Sequence, residues 1–308
     1  MIRIAHKGDN DYPEDVNVLL LSKRIFYCHA QFSIEYIEDN NPTKDLLNNL
    51  KSKGVDLFTF VQRSFMMDVQ QYPFPNEVDP IALLKITSFD NWWNSQIRKE
   101  ERNLVRKAEK KGIKVETVEI DEDFINGAYK IWRETPIRQG RRYIGYGLSR
   151  AALKRKFERL SNSDVFGAYY NDELAGILWL VYGDRVARIR QFVSMIKHRD
   201  KAPNNALMAA AVSRCCEKGF RFIVYEKMGY LPNLDAFKIH NGFKGVAVPR
   251  YYIALTERGE WAIRFGMTRD MEHFFAPRIA RFLLPVYNQV SRTTPERVWL
   301  IYDRIMKQ

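Results

Sequence analysis

The sequence has few of the features that mark secreted, membrane-spanning or fibrous proteins. Its 308 residues include only 3 cysteines, too few for the disulfide framework of a small secreted protein. No apolar run approaches the roughly 18–20 residues that a membrane-spanning helix needs, and the mean hydropathy is −0.39. Hydrophobic residues make up 46% of the chain and charged residues 28%, both typical of globular proteins. These values exclude a disordered chain, a collagen and a coiled-coil rod.

The cysteines also lack the spacing of a metal site. Cys28 stands alone, and the adjacent Cys215 and Cys216 have no Cys-x-x-Cys or histidine pattern around them. The chain does not start with a charged segment followed by an apolar one, which predicts no signal peptide. We therefore expect a reduced, cytoplasmic protein without a bound metal, in which the cysteines pack as small apolar residues.

Positive charge is plentiful but unevenly distributed. The whole chain carries a net charge of +12. Residues 1–90 contain 9 Lys or Arg against 13 Asp or Glu, whereas residues 91–114 contain 8 against 3. A basic body suits an anionic partner such as a nucleic acid, an acidic membrane surface or a phosphate-bearing cofactor. Charge does not choose among these partners, and a solvated basic surface is the plain alternative.

The composition divides the chain into four segments. They are a reduced α/β domain over 1–90, a basic linker helix over 91–114, an alternating α/β domain over 115–255 and a helical extension over 256–308. The linker has no Gly or Pro between Trp92 and Lys111, which predicts one long helix that Gly112 stops. The third segment has the predicted order β-α-α-β-β-β-α-β-α-β.

This order resembles the Gcn5-related N-acetyltransferase (GNAT) fold. The central helix, predicted from Pro203 to Lys218, follows the stretch Arg199-Asp200-Lys201-Ala202-Pro203-Asn204. GNAT enzymes have Gln/Arg-x-x-Gly-x-Gly/Ala at this point, so Ala202 and Asn204 replace two glycines. The resemblance implies a helix start whose backbone N–H groups and positive dipole end hold the diphosphate of an acyl-CoA. An ordinary capped helix without a ligand is the alternative.

Two further stretches resemble FemAB-type peptidyl and aminoacyl transferases and their acetyltransferase relatives. One is the basic segment from Ser95-Gln96-Ile97-Arg98-Lys99 to Lys110-Lys111-Gly112. The other is Phe237-Lys238 followed by Gly242-Phe243-Lys244-Gly245. The resemblance implies a mixed, mostly antiparallel sheet flanked by helices. It also implies that the first 90 residues are a reduced acyltransferase-like domain.

The same resemblance implies where the donor binds. Backbone N–H groups of the splayed fourth strand, within 192–196, would hold the oxyanion, and Val193 and Met195 would contact the donor. The start of the central helix would bind the donor through Arg199, Lys201, Ala202, Asn204, Asn205 and Ala206. His198 lies in the same loop, where it either contacts phosphate or is incidental.

Three charged side chains are candidates for the catalytic steps. Lys238 resembles the lysine of the Fem Phe-Lys pair and would stabilise a developing anion; a surface lysine is the alternative. Aligned from Asn233 instead, the equivalent position is His240, and the sequence does not choose between them. Glu226 ends a buried strand and is the candidate general base, with a surface ion pair to Lys227 as the alternative.

The predicted loop over 134–147 is rich in arginine, glycine and tyrosine. In the GNAT fold this loop covers the acceptor, which implies an amine acceptor, a small molecule or a peptide, that carries an anionic group. Its predicted contacts are Arg138, Arg141, Arg142, Tyr143 and Tyr146. A solvated basic loop is the alternative.

We therefore expect an N-acyltransferase that moves an acyl group from acyl-CoA, acetyl-CoA included, to an amine. Direct attack is expected because no Ser or Cys has a His partner at a recognisable spacing. The first alternative is transfer from an aminoacyl-tRNA to a peptide, cell-wall precursor or metabolite, with the linker helix on tRNA phosphates. The second is a non-catalytic binding protein of the same fold. Residues 274–287 would pack on the body, join a homodimer or lie on a membrane surface.

Overall fold

The computed structural model describes residues 3–6, 18–23, 26–36, 38, 42–66, 72–139, 141–158, 162–229 and 231–268. The strands are β1 (Arg3–His6), β2 (Val18–Lys23), β3 (Cys28–Phe32), β4 (Leu57–Val61), β5 (Asn76–Lys85), β6 (Lys114–Thr117), β7 (Ile137–Arg138), β8 (Arg141–Arg142), β9 (Ser163–Tyr170), β10 (Glu173–Tyr182), β11 (Val186–Ser194), β12 (Phe222–Lys227) and β13 (Lys244–Ala254). The helices are α1 (Lys44–Ser52), α2 (Phe89–Asn91), α3 (Lys99–Lys110), α4 (Glu122–Arg133), α5 (Arg150–Glu158), α6 (Pro203–Glu217), α7 (Pro232–His240) and α8 (Glu257–Arg264).

One large sheet organises the described residues. Its strand order is β1-β2-β3-β4-β13-β5-β12-β11-β10-β9-β6, and β7 and β8 form a separate small hairpin. Most neighbours are antiparallel, whereas β1 and β2, β3 and β4, and β11 and β12 are parallel. The predicted mixed α/β class, with a mostly antiparallel sheet flanked by helices, is confirmed.

Helices cover both faces of the sheet around β10, which therefore has apolar residues throughout. Leu178 and Leu180 pack beneath α6 and α3 on one face. Ile177 and Trp179 pack beneath α4 and α5 on the other. Successive side chains of a strand point to opposite faces, so a strand that is buried on both sides reads as a continuous apolar run.

The sheet continues across residue 90. Strand β5 comes from the first 90 residues, yet it lies between β13 and β12 and is antiparallel to both. For example, Leu83 pairs with Val224 on one side and with Lys244 on the other. The N-terminal part thus shares its hydrogen bonds with the alternating part. The division of the chain into four segments stays a prediction.

The prediction of a single helix through the basic segment is wrong. Helix α2 continues as one π-helical turn over Trp92–Gln96, and the chain is then extended at Ile97 (ψ 140°) and Arg98 (ψ 152°) before α3 begins. Arg102 Nη1 donates to the carbonyl oxygens of Trp93 (2.8 Å) and Ile97 (2.9 Å). Arg102, a residue of α3, thereby provides hydrogen-bond donors for two carbonyl oxygens that have no helical partner at the break.

Most other predicted elements are present with small changes at their ends. Asp121 caps α4 by accepting from Phe124 N at 2.7 Å. All three cysteines are free, with Cys215 buried and the other two half-buried. Within the described ranges, none of the helices has the length and hydropathy to cross a membrane. Of the predicted C-terminal helical extension, α8 is seen, and residues 274–287 lie outside the described residues.

We expect Trp92→Phe to lower the free energy of unfolding by about 1–3 kcal/mol, because a buried carbonyl loses its donor. Trp92 is fully buried, and its Nε1 donates to the carbonyl oxygen of Asn241 at 2.9 Å, which joins this segment to the end of α7. Trp93→Phe is the matched control, since Trp93 is half-buried. Urea unfolding measures both variants. An equal loss in the two would contradict the importance of this hydrogen bond.

Candidate active site

Strands β11 and β12 part near their carboxyl ends. They pair from Val186 and Phe222 only as far as Arg188 and Val224. Beyond that point the strand opening begins, which we define by residues 190–194 of β11 and 225–227 of β12. Both strands are irregular there. Arg190 is an extra residue in the pairing of β11 with β10, and Glu226 has a left-handed backbone (φ 52°) at a register shift in β12.

Backbone direction identifies donors that could face the strand opening. Met195 N donates to the carbonyl oxygen of Ala175 at 2.8 Å, so this N–H is committed to the β10 side. Because N–H groups alternate along a strand, those of Phe192 and Ser194 point towards β12, and that of Val193 points towards β10. The contact of Val193 and Met195 with a donor stays a prediction.

Glu226 lies at the end of β12 with one carboxylate oxygen held. Arg188 donates to Glu226 Oε1 from Nη2 at 2.7 Å and from Nε at 3.2 Å. Burial raises the pKa of Glu226, but the neighbouring cations, Arg188 first, outweigh it and the pKa is lowered. Glu226 is therefore an ionised carboxylate at neutral pH. Its expected alternative partner, Lys227, bonds to Asp79 at 2.8 Å instead.

Lys238 is buried, so the alternative of a surface lysine is wrong. Its side chain is 1% exposed, its Nζ donates to the carbonyl oxygen of Lys227 at 2.6 Å, and it stands 4.9 Å from the centre of the Tyr225 ring. Burial lowers the pKa of Lys238, and Asp235 and Glu226 offset this only in part. A lysine with a lowered pKa is a stronger acid than an exposed one.

Aromatic rings pack where the two strands part. Phe192 of β11 contacts Tyr225 of β12 and Phe237 of α7, with both pairs of ring centres 5.8 Å apart. Phe237 precedes Lys238 in the predicted Phe-Lys pair. The pair therefore places an apolar wall and a buried cation at the strand opening, next to Glu226.

The start of α6 has some, but not all, of the features of a helix terminus that binds an anion. Ala202, at the N-cap, has a left-handed backbone (φ 56°, ψ 43°), the conformation that favours the glycine of the family motif. Arg199 is exposed and has no carboxylate partner among the described residues. Lys201 instead pairs with Asp200 at 3.0 Å. Pro203 at the first helical position removes one N–H donor.

Asn204 adds a second feature to this helix start. Its Oδ1 is buried and has no donor within the described residues. The pantetheine arm of CoA carries amide N–H groups that could meet such an acceptor, and Arg199 could meet a phosphate. The residues at the start of α6 therefore fit an acyl-CoA. Ala206 follows one turn later and is half-buried in α6.

A polar link joins the basic helix to α6 and α7. Buried Glu101 of α3 accepts from Asn205 Nδ2 and lies 3.2 Å from His240 Nδ1. His240 Nε2 in turn lies 3.0 Å from Arg98 Nη1. Asn205 and His240 thus have partners within the protein, whereas Lys238 bonds to the carbonyl oxygen of Lys227, the residue after Glu226. The role of each stays a prediction.

The 134–147 loop is tied to the chain that follows β11. Arg138 donates to the carbonyl oxygens of Ser194 (2.8 Å) and Ile131 (2.9 Å), and Glu134 accepts from the backbone N–H groups of Ile196 (2.7 Å) and Lys197 (3.1 Å). Burial lowers the pKa of Arg138, against the effect of nearby Tyr143 and Glu134. These contacts join α4 to the strand opening.

The remaining loop residues differ in their surroundings. The guanidinium of Arg138 stands 5.0 Å from the Tyr143 ring centre, and Tyr146 faces Arg133 at 5.4 Å. Arg141 and Arg142 form β8, paired with β7. Contact of an acceptor with these residues stays a prediction.

A cavity of about 830 Å³ lies beside β6, β9 and α4 and reaches Met195. Its acidic lining residues are Glu116, Glu119, Asp121, Asp123, Asp172 and Glu173. Glu173 lies 2.7 Å from Nε2 of buried His198 and accepts from Lys197 Nζ at 2.6 Å. The charge of this cavity disfavours an anionic donor. Within the described residues no group of His, Cys, Asp and Glu side chains could hold a metal ion.

Sequence reasoning missed Arg188 and the contacts of Glu134. Arg188 lies among apolar residues of a buried strand, where a charge requires a partner, and this was the available signal. Glu134 is an ordinary carboxylate after a helix, and nothing in the sequence marks it as a partner of residues 196–197.

Comparison with known proteins gives this geometry a class. Residues 95–230 match the family model described as an acetyltransferase (GNAT) domain. The chain has a GNAT fold, and residues 95–230 are similar to the acetyltransferase domain of that class. No curated protein matches.

Solved structures resemble the chain over a longer stretch. The crystal structure of FemX matches with a TM-score of 0.53 and 13% identity, covering 75% of this chain and 83% of FemX. The C-terminal domain of a putative lysylphosphatidylglycerol synthetase from Agrobacterium fabrum matches with a TM-score of 0.54 and 13% identity, covering 80% and 83%. The L-PGS structure from Bacillus licheniformis matches with a TM-score of 0.51 and 13% identity, covering 79% and 82%. These likenesses show the fold that the chain shares with these proteins.

We expect Ala202→Gly to raise the free energy of unfolding by about 0.5–1 kcal/mol, because glycine adopts the left-handed backbone without the cost that a Cβ adds. Ala206→Gly, in the interior of α6, is the matched control and is expected to lower it by about 0.5–1 kcal/mol. Urea unfolding of both variants gives the signs. A loss of stability in Ala202→Gly would contradict a left-handed backbone at this position.

Proposed function

We propose that the chain is an N-acyltransferase that joins an acyl group from acyl-CoA to an amine at the strand opening. The observation that carries this proposal is the meeting of Glu226 and Lys238 where β11 and β12 part, with Lys238 Nζ bonded to the carbonyl oxygen of Lys227, the residue after Glu226. The thioester of the donor supplies an activated acyl carbon and a thiolate leaving group. An acceptor with a primary amine supplies the nucleophile.

Each charged group has a distinct part in the proposed reaction. The acceptor arrives as an ammonium ion and first gives one proton to water. The neutral amine nitrogen then attacks the acyl carbon, the C–N bond forms, and the carbonyl oxygen becomes an oxyanion. The N–H groups of Phe192 and Ser194 are the donors that face it. Glu226 orients the amine and takes its proton once the C–N bond has formed, when the nitrogen is far more acidic. The C–S bond then breaks, and Lys238 gives a proton to the leaving sulfur.

The pKa directions agree with this division of labour. A carboxylate whose pKa is lowered stays ionised and attracts an ammonium group. An ammonium whose pKa is lowered by burial gives up its proton more readily. Both pKa values are therefore lowered, which keeps Glu226 ionised and makes Lys238 a better proton donor.

A second donor class, an aminoacyl-tRNA, has its own supporting observation. Helix α3 presents exposed cations to solvent, namely Lys99, Arg106, Lys107, Lys110 and Lys111. Such a row can neutralise nucleic-acid phosphates. Acyl transfer from a ribose ester would follow the same route, with a ribose oxygen as the leaving group. A non-catalytic binding protein is the remaining candidate.

Donor binding is tested by thermal unfolding with acetyl-CoA, a long-chain acyl-CoA, free CoA and bulk tRNA, each alone. A ligand at 100 times its Kd adds about 2.7 kcal/mol to the stability of the native state. We expect CoA species to stabilise the protein and Arg199→Glu to remove the effect. Arg185→Glu, a charge reversal in the exposed β10–β11 turn, is the control and should leave the stabilisation by CoA species unchanged. If tRNA alone stabilised the protein, and Lys107→Glu removed this effect, the proposed donor would be an aminoacyl-tRNA instead of acyl-CoA.

Catalysis is tested with Lys238→Met. We expect kcat to fall about 10²–10⁴-fold, because the leaving group loses its proton donor. Urea unfolding checks that the variant is folded, because the carbonyl oxygen of Lys227 loses its donor. Lys244→Met, at an exposed position of β13, is the control for an unspecific loss of charge. Full activity of Lys238→Met with amines in a broad panel would overturn the assignment of the acid.

A further inference from the structure

A segment of the N-terminal part contacts Arg188, the last residue of β11 to pair with β12 before the strand opening. Arg188 Nη1 donates to the carbonyl oxygen of Glu35 at 3.2 Å, and its guanidinium lies 5.3 Å from the centre of the Tyr36 ring. Arg188 is 8% exposed. This arginine of β11 therefore has the Glu35–Tyr36 segment on one side and Glu226 on the other.

The Glu35–Tyr36 segment is itself firmly held. Tyr36 has a left-handed backbone (φ 71°), is buried, and donates from its hydroxyl to Asp79 Oδ2 at 2.9 Å. Arg250 donates to both carboxylate oxygens of Glu35 at 2.8 Å and, from Nε, to Asp79 at 2.9 Å. A bidentate pair of this kind fixes both partners in position.

The cluster is built of ion pairs. Its three carboxylates belong to Glu35, Asp79 and Glu226, and its three cations belong to Arg188, Lys227 and Arg250. A buried charge without a partner is costly, so the loss of one member would leave another unpaired. The cluster crosses from the N-terminal part to β11, β12 and β13.

Glu226 is where the cluster meets the strand opening. Its left-handed backbone costs about 1–2 kcal/mol for a residue other than glycine, and strain of this kind persists where the surroundings fix a conformation. Arg188 holds Oε1, and Oε2 has no partner within the described residues. The side chain is 41% exposed. One oxygen is thus fixed by the protein, and the other is left for a donor from outside.

We propose that Glu35 and Tyr36 are positioning residues of the acyl-transfer site, which hold Arg188 so that Glu226 presents Oε2 to the ammonium group of the acceptor. This inference rests on the proposed function. It makes the N-terminal part a component of the active site. It also narrows the acceptor to an amine that is a cation before it reacts.

The ionisation of Glu226 provides a readout that a purely structural role would not move. The groups that face Glu226 are Arg188 and Arg190 of β11, Lys238 of α7 and the Glu35–Tyr36 segment. Burial raises the pKa of Glu226 and the neighbouring cations lower it. Without Arg188 the lowering effect would be smaller, so the pKa of Glu226 would rise. The acidic limb of the pH profile would then move to higher pH.

The experiment follows the Glu226 carboxyl carbon by NMR titration, with its signal assigned from Glu226→Gln. We expect its pKa to rise by about 1 unit or more in Arg188→Met. Arg188→Lys should restore part of the shift, because it keeps the charge. Tyr36→Ala should raise the pKa, and Tyr36→Phe less so, because it keeps the ring against Arg188. Tyr252→Phe, which loses a bond to Glu77, is the control on β13.

The kinetic arm measures kcat/KM against pH and KM for the acceptor. We expect Tyr36→Ala to raise KM for the amine about 10-fold or more while stabilisation by the donor stays unchanged. An unaltered Glu226 pKa in folded Tyr36→Ala and Tyr36→Phe would overturn the inference. Transfer to no amine by the wild-type protein would overturn the proposed function instead, and the NMR titration would still decide whether Glu35 and Tyr36 position Glu226.

Discussion

The parting of β11 from β12 is the constraint on which the rest of the site depends. Strands that separate release backbone groups, and buried backbone groups need partners. The chain meets this need with one side chain from the end of α4 and one from β7. Arg138 donates a hydrogen bond to the carbonyl oxygen of Ser194, and Glu134 accepts hydrogen bonds from the N–H groups of residues 196 and 197. These backbone groups at and beyond the end of β11 thus have partners in the protein, and the N–H groups of Phe192 and Ser194 can be kept for a substrate.

The same parting decides which charges meet. Glu226 ends β12 and Arg188 precedes the irregular residue of β11, so the two lie on either side of the point where pairing stops. Lys238 reaches this point from α7 and is held by the carbonyl of Lys227. Each group belongs to a different element. Their meeting is a product of the topology, and no short sequence motif contains all three.

Much of the fold could be predicted from local signals. Apolar alternation, turn residues and helix caps gave the order of elements from residue 115, and Gly112 ends α3 as expected. The break at Ile97 could not be predicted, because the segment has no Gly or Pro. It is caused by tertiary contacts, those of Trp92 with Asn241 and of Arg102 with Trp93 and Ile97.

The site was predictable only in part, for a related reason. A resemblance to known motifs pointed to Lys238, and the end of a buried strand pointed to Glu226. Their contacts and shifted pKa values needed the structure. Arg138 was expected at the acceptor for its charge, whereas its contacts are with backbone carbonyls. A guanidinium suits anions and carbonyl oxygens alike, so residue type alone does not distinguish the two uses.

The central place of β5 has a consequence for how the chain is made. This strand is synthesised early, but both of its neighbours, β12 and β13, come from the last third of the described residues. Pairings between distant parts of a chain form slowly, since a long loop must close before any contact is gained. During synthesis on the ribosome, both edges of β5 stay unpaired until β12 and β13 have been made. Its apolar residues 81–84 would then be exposed to other chains, and a chaperone that shields them would raise the yield of folded protein.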